Sequence, residues 1–201
     1  MPWLKRNWHY LLVHLVGIVP LVLMAVYYVS DALVNPVRYI ILRSGTIGLI
    51  LLVVTLACTP VRRITGWSGA VQIRRALGLY SFLYMALHLW AYAAGENSLY
   101  FDLIWRDLGE RSAMPIGIAA FALLVPLALT STQGWQRRLG KRWRTLHRLV
   151  YVAAILSVWH YLWLDRDFKT WPLIFAAIVG ILLVLRLPLA QPIYKKRTSA
   201  E

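Results

Sequence analysis

The chain has 201 residues, of which 60% are hydrophobic and 15% charged, with a mean hydropathy of +0.59 and a formal net charge of +14. A soluble domain of this length cannot hide that much apolar surface, which excludes an ordinary globular enzyme. In a soluble protein the charge would suggest nucleic acid; here the cations punctuate long apolar runs, the pattern of a polytopic membrane protein, and nucleic acid is excluded as a partner.

Six apolar runs are expected to be membrane-crossing helices: 10–29, 46–61, 76–94, 115–132, 149–164 and 172–187. The first follows Lys5 and Arg6 as a signal peptide would, but it is too long for an h-region and lacks a small-x-small cleavage site, so it is read as retained. The second ends near Cys58, the single cysteine, which can form no internal disulfide and reads as a small buried packing residue. Between the third and fourth runs, "GENSLYFDLIWRDLGERSA" (95–113) is a loop with room for a short amphipathic helix. Between the fourth and fifth, "QGWQRRLGKRWRTLHR" (133–148) is a compact basic loop whose glycine spacing is wrong for a phosphate loop. No G-x-G-x-x-G follows a strand, so no dinucleotide domain is expected, and no internal repeat of the transporter kind is visible.

Charge sets the orientation. Lys5, Arg6, Arg62, Arg63, Arg74, Arg75, Arg137, Arg138, Lys141, Arg142, Arg144, Arg148, Arg186, Lys195, Lys196 and Arg197 all fall at the termini or in the even-numbered loops. Asp31, Glu96, Asp102, Asp107, Glu110, Asp165 and Asp167, seven of the 8 acids, fall in or beside the odd-numbered ones. Basic loops stay cytoplasmic, so both termini are expected inside, which the even number of spans also requires. Fold class is therefore an all-α membrane bundle of six helices in a single domain, N-in and C-in.

Of the five histidines, His88 and His160 stand out. They lie in the outer halves of the third and fifth runs, which are parallel, so their imidazoles reach similar depth. Two neutral imidazoles facing across an apolar bundle make an axial pair for haem iron. His147 precedes His160 by 13 residues, about 20 Å lower on a continuous helix, which suits a second redox centre. On that same ideal helix the two point about 140° apart, so a local irregularity is needed for both to face one axis. Arg74, 14 residues before His88, is level with His147. Arginine stays protonated and ligates iron poorly, so it is expected to hold a haem propionate or a flavin phosphate, unless Arg74 and Arg75 merely anchor the span. His14 is another candidate partner for His147, and His9 reads as interfacial.

The segments "LALTSTQGWQRRLGKRWRTLHRLVYVAAILSVWHYLW" (127–163), "RRALGLYSFLYMALHLWAY" (74–92) and "LVHLVGIVPL" (12–21) closely resemble the family of haem-binding membrane subunits called MsrQ, earlier YedZ, within the ferric-reductase-like transmembrane domains. The resemblance implies haem b, one or two per chain, and association with FMN. It implies electrons from membrane quinol or a cytosolic flavin reductase, delivered to a periplasmic molybdopterin reductase, MsrP, that repairs methionine sulfoxide in envelope proteins. Catalysis would then lie in the partner, and the chain would sit in a bacterial inner membrane. The family's haem histidines fall on His88, His147 and His160, and its associated arginine on Arg74. Two other functions are compatible with the residues: a stand-alone ferric reductase or oxidase with an open haem position, and a small transporter whose histidines relay protons. No acid lies deep in a span, which weakens the transporter reading.

Overall fold

A computed structural model describes residues 2–30, 33–164 and 169–186, with side chains from Trp8 onward. Among these the chain is helical, with no strand. In order come α1 (Pro2–Val29), α2 (Pro36–Thr65), α3 (Gly69–Trp90) running into a π-helical turn (Ala91–Glu96), α4 (Phe101–Glu110), α5 (Ala113–Leu129), α6 (Gln133–Leu139), α7 (Lys141–Leu146), α8 (Leu149–Leu164) and α9 (Thr170–Val184). Asp31, Asp165, Asp167, Lys195, Lys196, Arg197 and the end of the sixth expected span at 187 lie outside the described residues.

Three helical stretches are long and apolar enough to cross a bilayer: Trp8–Val29, Pro36–Thr65 and Gly69–Glu96. The three remaining apolar helices, α5, α8 and α9, have 17, 16 and 15 residues, about 22–26 Å against a hydrocarbon core of roughly 30 Å. Their outward faces are apolar, as are those of α1, where Leu11, Leu12, Leu15, Ile18, Val19 and Val22 are all exposed. Such a belt is tolerable only in lipid. The chain is a multi-pass membrane protein.

Helix α2 begins ten residues before the hydropathy boundary at 46, because capping decides its start. The side chain of Asn35 accepts the Arg38 N–H at 2.9 Å, and Pro36 has its φ preset for the first turn. Gly66, at φ 71°, closes the other end by donating its N–H to the Arg62 carbonyl.

The same helix is the centre of the bundle. One of its flanks packs Leu51 and Cys58 against Val13 of α1 and Ile73, Leu77 and Tyr84 of α3. The other packs Leu49, Leu52, Val53 and Leu56 against Leu124 and Leu127 of α5, Ala153, Ala154 and Val158 of α8, and Leu182 of α9. Ala153 and Ala154 are fully buried, and such small side chains let helices approach closely where lipid supplies no hydrophobic drive. Helix α1 rides on α3 through polar contacts: His9 Nε2 to Gln72 Oε1 (3.1 Å), His14 Nδ1 to the Tyr80 hydroxyl (2.9 Å), and Tyr84 donating to the Gly17 carbonyl (2.8 Å). Gly17 is needed for this approach, since a Cβ there would lie 2.6 Å from the Tyr80 ring.

Beyond His88 the chain leaves α3 through the π-helical turn, a feature that often marks functional sites. Tyr92 in this turn donates to the buried carboxylate of Asp107 on α4 (2.8 Å), which Arg111 also approaches at 3.5 Å. Tyr92→Phe is expected to cost about 1–3 kcal/mol, because it removes a donor from a buried carboxylate. Thermal unfolding in detergent checks this, and an unchanged Tm would mean that the contact is dispensable.

Candidate functional site

The structure brings His88 of α3 and His160 of α8 together, with ring centroids 6.2 Å apart and planes crossing at 82°. Each ring is held by the same device. His88 Nδ1 donates to the Ile41 carbonyl of α2 at 2.8 Å, and His160 Nδ1 donates to the Ala113 carbonyl of α5 at 2.7 Å. Four residues after each carbonyl stands a glycine, Gly45 or Gly117, against which the ring lies. An added Cβ would sit 2.9 Å from His88 Nδ1 or 2.8 Å from His160 Nδ1 and Cε1. A carbonyl can only accept, so the proton is fixed on Nδ1 and Nε2 keeps its lone pair, as in a ligating histidine with an outer-shell partner.

These residues fit haem. An imidazole nitrogen lies about 2 Å from a bound transition metal and about 1 Å from its own ring centre, so two imidazoles flanking one ion have centres about 6 Å apart. Two ligands are too few for a metal site made of protein alone, and no group of three or more His, Cys, Asp or Glu side chains gathers among the described residues. A macrocycle that supplies the equatorial ligands needs only the axial pair.

A second centre of polar groups lies at the other, basic end of the bundle. A cavity of about 310 Å³ is walled by Leu52, Leu56, Phe82, Leu124, Leu127 and Val150 and rimmed by Arg74, Arg75, Ser131, Gln136, Trp143 and His147. His147 stacks on Trp143 (3.9 Å between centroids), and its Nδ1 donates to the Trp143 carbonyl at 3.2 Å. Burial, opposed in part by that hydrogen bond and reinforced by the cation of Arg74, lowers the His147 pKa, so the neutral, ligating form prevails at neutral pH. Arg74 reaches Thr59 Oγ1 at a long 3.5 Å, and no acid joins it in the cavity lining. A largely apolar pocket lined by two arginines suits a flat hydrophobic ligand with an anionic arm.

A turn separates His147 from the helix that carries His160. His147 caps α7 and lies with Arg148 in the turn before α8, so the rotation of a continuous helix does not apply. His14 is not brought to His147: it lies on α1 against Tyr80 and is absent from the cavity lining. Arg75 does reach the cavity, beside Arg74. Sequence reasoning missed Gly45, Gly117 and Trp143. None of them left a clear signal: Gly45 precedes the second expected run, and Gly117, like any glycine in an apolar run, reads only as a weak helix former.

The family model described as ferric reductase like transmembrane component matches residues 44–158. Curated relatives named protein-methionine-sulfoxide reductase heme-binding subunit MsrQ include the protein of Rhodospirillum rubrum, 44% identical over 171 residues (85% of this chain, 81% of that one). Those of Herminiimonas arsenicoxydans (39% over 175 residues; 85% and 80%) and Bordetella pertussis (42% over 151 residues; 74% and 73%) are similar in kind. The paired histidines and the arginine-rimmed cavity stand in a chain that belongs to the ferric-reductase-like transmembrane components and, among these, to the MsrQ family.

Proposed function

We propose that this chain is the b-type haem membrane subunit of a methionine-sulfoxide reductase system, carrying electrons across the bacterial inner membrane to a periplasmic molybdopterin partner of the MsrP kind. The observation that carries the reading is the imidazole pair at 6.2 Å, each ring fixed by a carbonyl of a neighbouring helix. His88 and His160 would hold the iron through Nε2, with the Ile41 and Ala113 carbonyls orienting the two rings. Haem, when bound, supplies a one-electron couple. At the basic end, Arg74 and Arg75 would hold the acid arm of a second haem or the phosphate of FMN, and His147 would offer Nε2 as a ligand there. Two centres shorten each electron transfer to a fraction of the membrane thickness.

The cation-rich end faces the cytoplasm, both termini are inside, and α1, α2, α3, α5, α8 and α9 serve as six spans, the shorter three completed by neighbouring turns. Reducing equivalents come from quinol or from a cytosolic flavin reductase, for which the basic stretch Arg137–Arg148 supplies an electrostatic docking face. The acid-bearing end faces the periplasmic partner.

The test is a set of reduced-minus-oxidised optical spectra on protein purified in mild detergent. Sharp low-spin bands are expected in the unaltered chain, absent in His88→Ala and His160→Ala, and reduced in part in His147→Ala. Haem that stays low-spin in both outer variants would overturn the ligand assignment. A protein that remains colourless after expression with ample haem would overturn electron transfer itself.

A further inference from the structure

Helix α4 is too short to span a membrane and meets α5 at a bend of 110°. At about 100° per residue its side chains divide into three faces of similar width. Leu103, Ile104, Asp107 and Leu108 turn inward and are buried or half-buried, with Asp107 held by Tyr92. Phe101 and Trp105, 74% and 69% exposed, stack on each other along a second face that continues to Gly109. Asp102, Arg106 and Glu110, all exposed, occupy the third, where Arg106 approaches Glu110 at 4.0 Å. A surface helix of a soluble protein needs two faces, one for the core and one for water. Three faces imply three media.

We propose that α4 lies flat in the membrane–water boundary at the end of the bundle that holds the histidine pair, with lipid as the occupant of its aromatic face. A helix seated beside the bundle in that plane meets protein on one side, acyl chains below and water above. Those are the three chemistries that α4 presents. Its axis, steeply inclined to apolar α5, has the orientation this requires, and Leu99 and Tyr100, just before it, and Trp90, before the π-helical turn, are exposed as well. Aromatic rings of this kind settle at the headgroup level. Through Asp107 and Tyr92, lipid seating of α4 steadies the turn that follows His88.

The inference rests on the membrane reading but not on haem, and spin labelling of the full chain in lipid nanodiscs separates the two. In a Cys58→Ser background, single cysteines replace Phe101, Trp105 and Gly109 on the aromatic face, Asp102 and Arg106 on the charged face, and Ile104 on the inner face. Ile18→Cys on α1 serves as a lipid reference. Relaxation by oxygen relative to a water-soluble nickel chelate is expected to be several-fold higher at 101, 105 and 109 than at 102 and 106, with 104 shielded from both. Chelate access at 101 and 105 equal to that at 102 and 106 would overturn the proposal by placing the aromatic face in water. Shielding of 101, 105 and 109 from both reagents would overturn it by showing that protein covers the face. A reference site at 18 that reads as water would instead sink the membrane reading beneath both.

Discussion

Gly117→Val and Gly45→Val are expected to remove the low-spin haem spectrum as completely as loss of a ligand, although neither residue carries a donor atom. The ring of His160 lies so close to Gly117 that an added Cβ would fall 2.8 Å from Nδ1 and Cε1; at Gly45 the corresponding distance to His88 Nδ1 is 2.9 Å. Real Cβ atoms do not approach so closely, so the ring must retreat. It cannot retreat cheaply, because Nδ1 is tied to the carbonyl one helical turn away and the other imidazole stands 6.2 Å off. Overpacking of this kind costs about 1–3 kcal/mol, which corresponds to roughly five- to 150-fold weaker haem retention. Alanine should give a milder version, with a mixture of low-spin and high-spin absorbance. Haem-to-protein ratios and optical spectra report the loss, and far-ultraviolet circular dichroism shows whether the helices remain. Full low-spin haem in Gly117→Val would refute the account of how the rings are held.

Arg186→Ala should destabilise the fold by about 2–4 kcal/mol, with Pro60→Ala partly rescuing it. Pro60 sits inside α2 and has no N–H, so the Leu56 carbonyl one turn earlier loses its helical donor. Arg186, just beyond α9, replaces that donor with Nη2 and gives Nη1 to the Tyr151 hydroxyl at 2.8 Å, its guanidinium lying 5.3 Å from the Tyr151 ring centre. One side chain thereby ties α2, α8 and α9 at the basic end. In a Pro60→Ala background the backbone supplies its own donor to Leu56, and the cost of Arg186→Ala should fall by about 1–2 kcal/mol. Strictly additive losses in a double-mutant cycle of thermal or denaturant unfolding would show that the proline and the arginine are unrelated.

Hydropathy located the apolar helices well because lipid imposes a single dominant constraint on them. It failed at the start of α2, where Arg38 and Arg43 lowered the local hydropathy and the cap at Asn35 with Pro36 decided the boundary instead. Parity of the spans was enough to bring His88 and His160 to one level, since depth in a parallel pair follows from position in the chain. The supports of the two rings were illegible. Ile41, Gly45, Ala113 and Gly117 act across helix contacts that leave no periodic trace, and glycine in an apolar run reads as a weak helix former. The break before α8 was equally hidden, so the rotation between His147 and His160 assumed a continuous helix, which the turn at 147–148 interrupts. Arg186 registered only as one more interfacial cation, because its partner is a carbonyl orphaned by Pro60.

The two ring supports share an arithmetic. Carbonyl, glycine and histidine of the second each lie 72 positions after those of the first: Ile41 to Ala113, Gly45 to Gly117, His88 to His160. The hairpins α2–α3 and α5–α8 thus hold their imidazoles by one and the same spacing of carbonyl, glycine and histidine. Few other positions match at this offset, so the likeness is confined to the ring supports. Under the same shift His147 falls on Arg75, so the spacing that joins two histidines at one end joins a histidine and an arginine at the other. The bundle thus has a polarity, with two matched imidazoles at one pole and a single imidazole among cations in the cavity at the other.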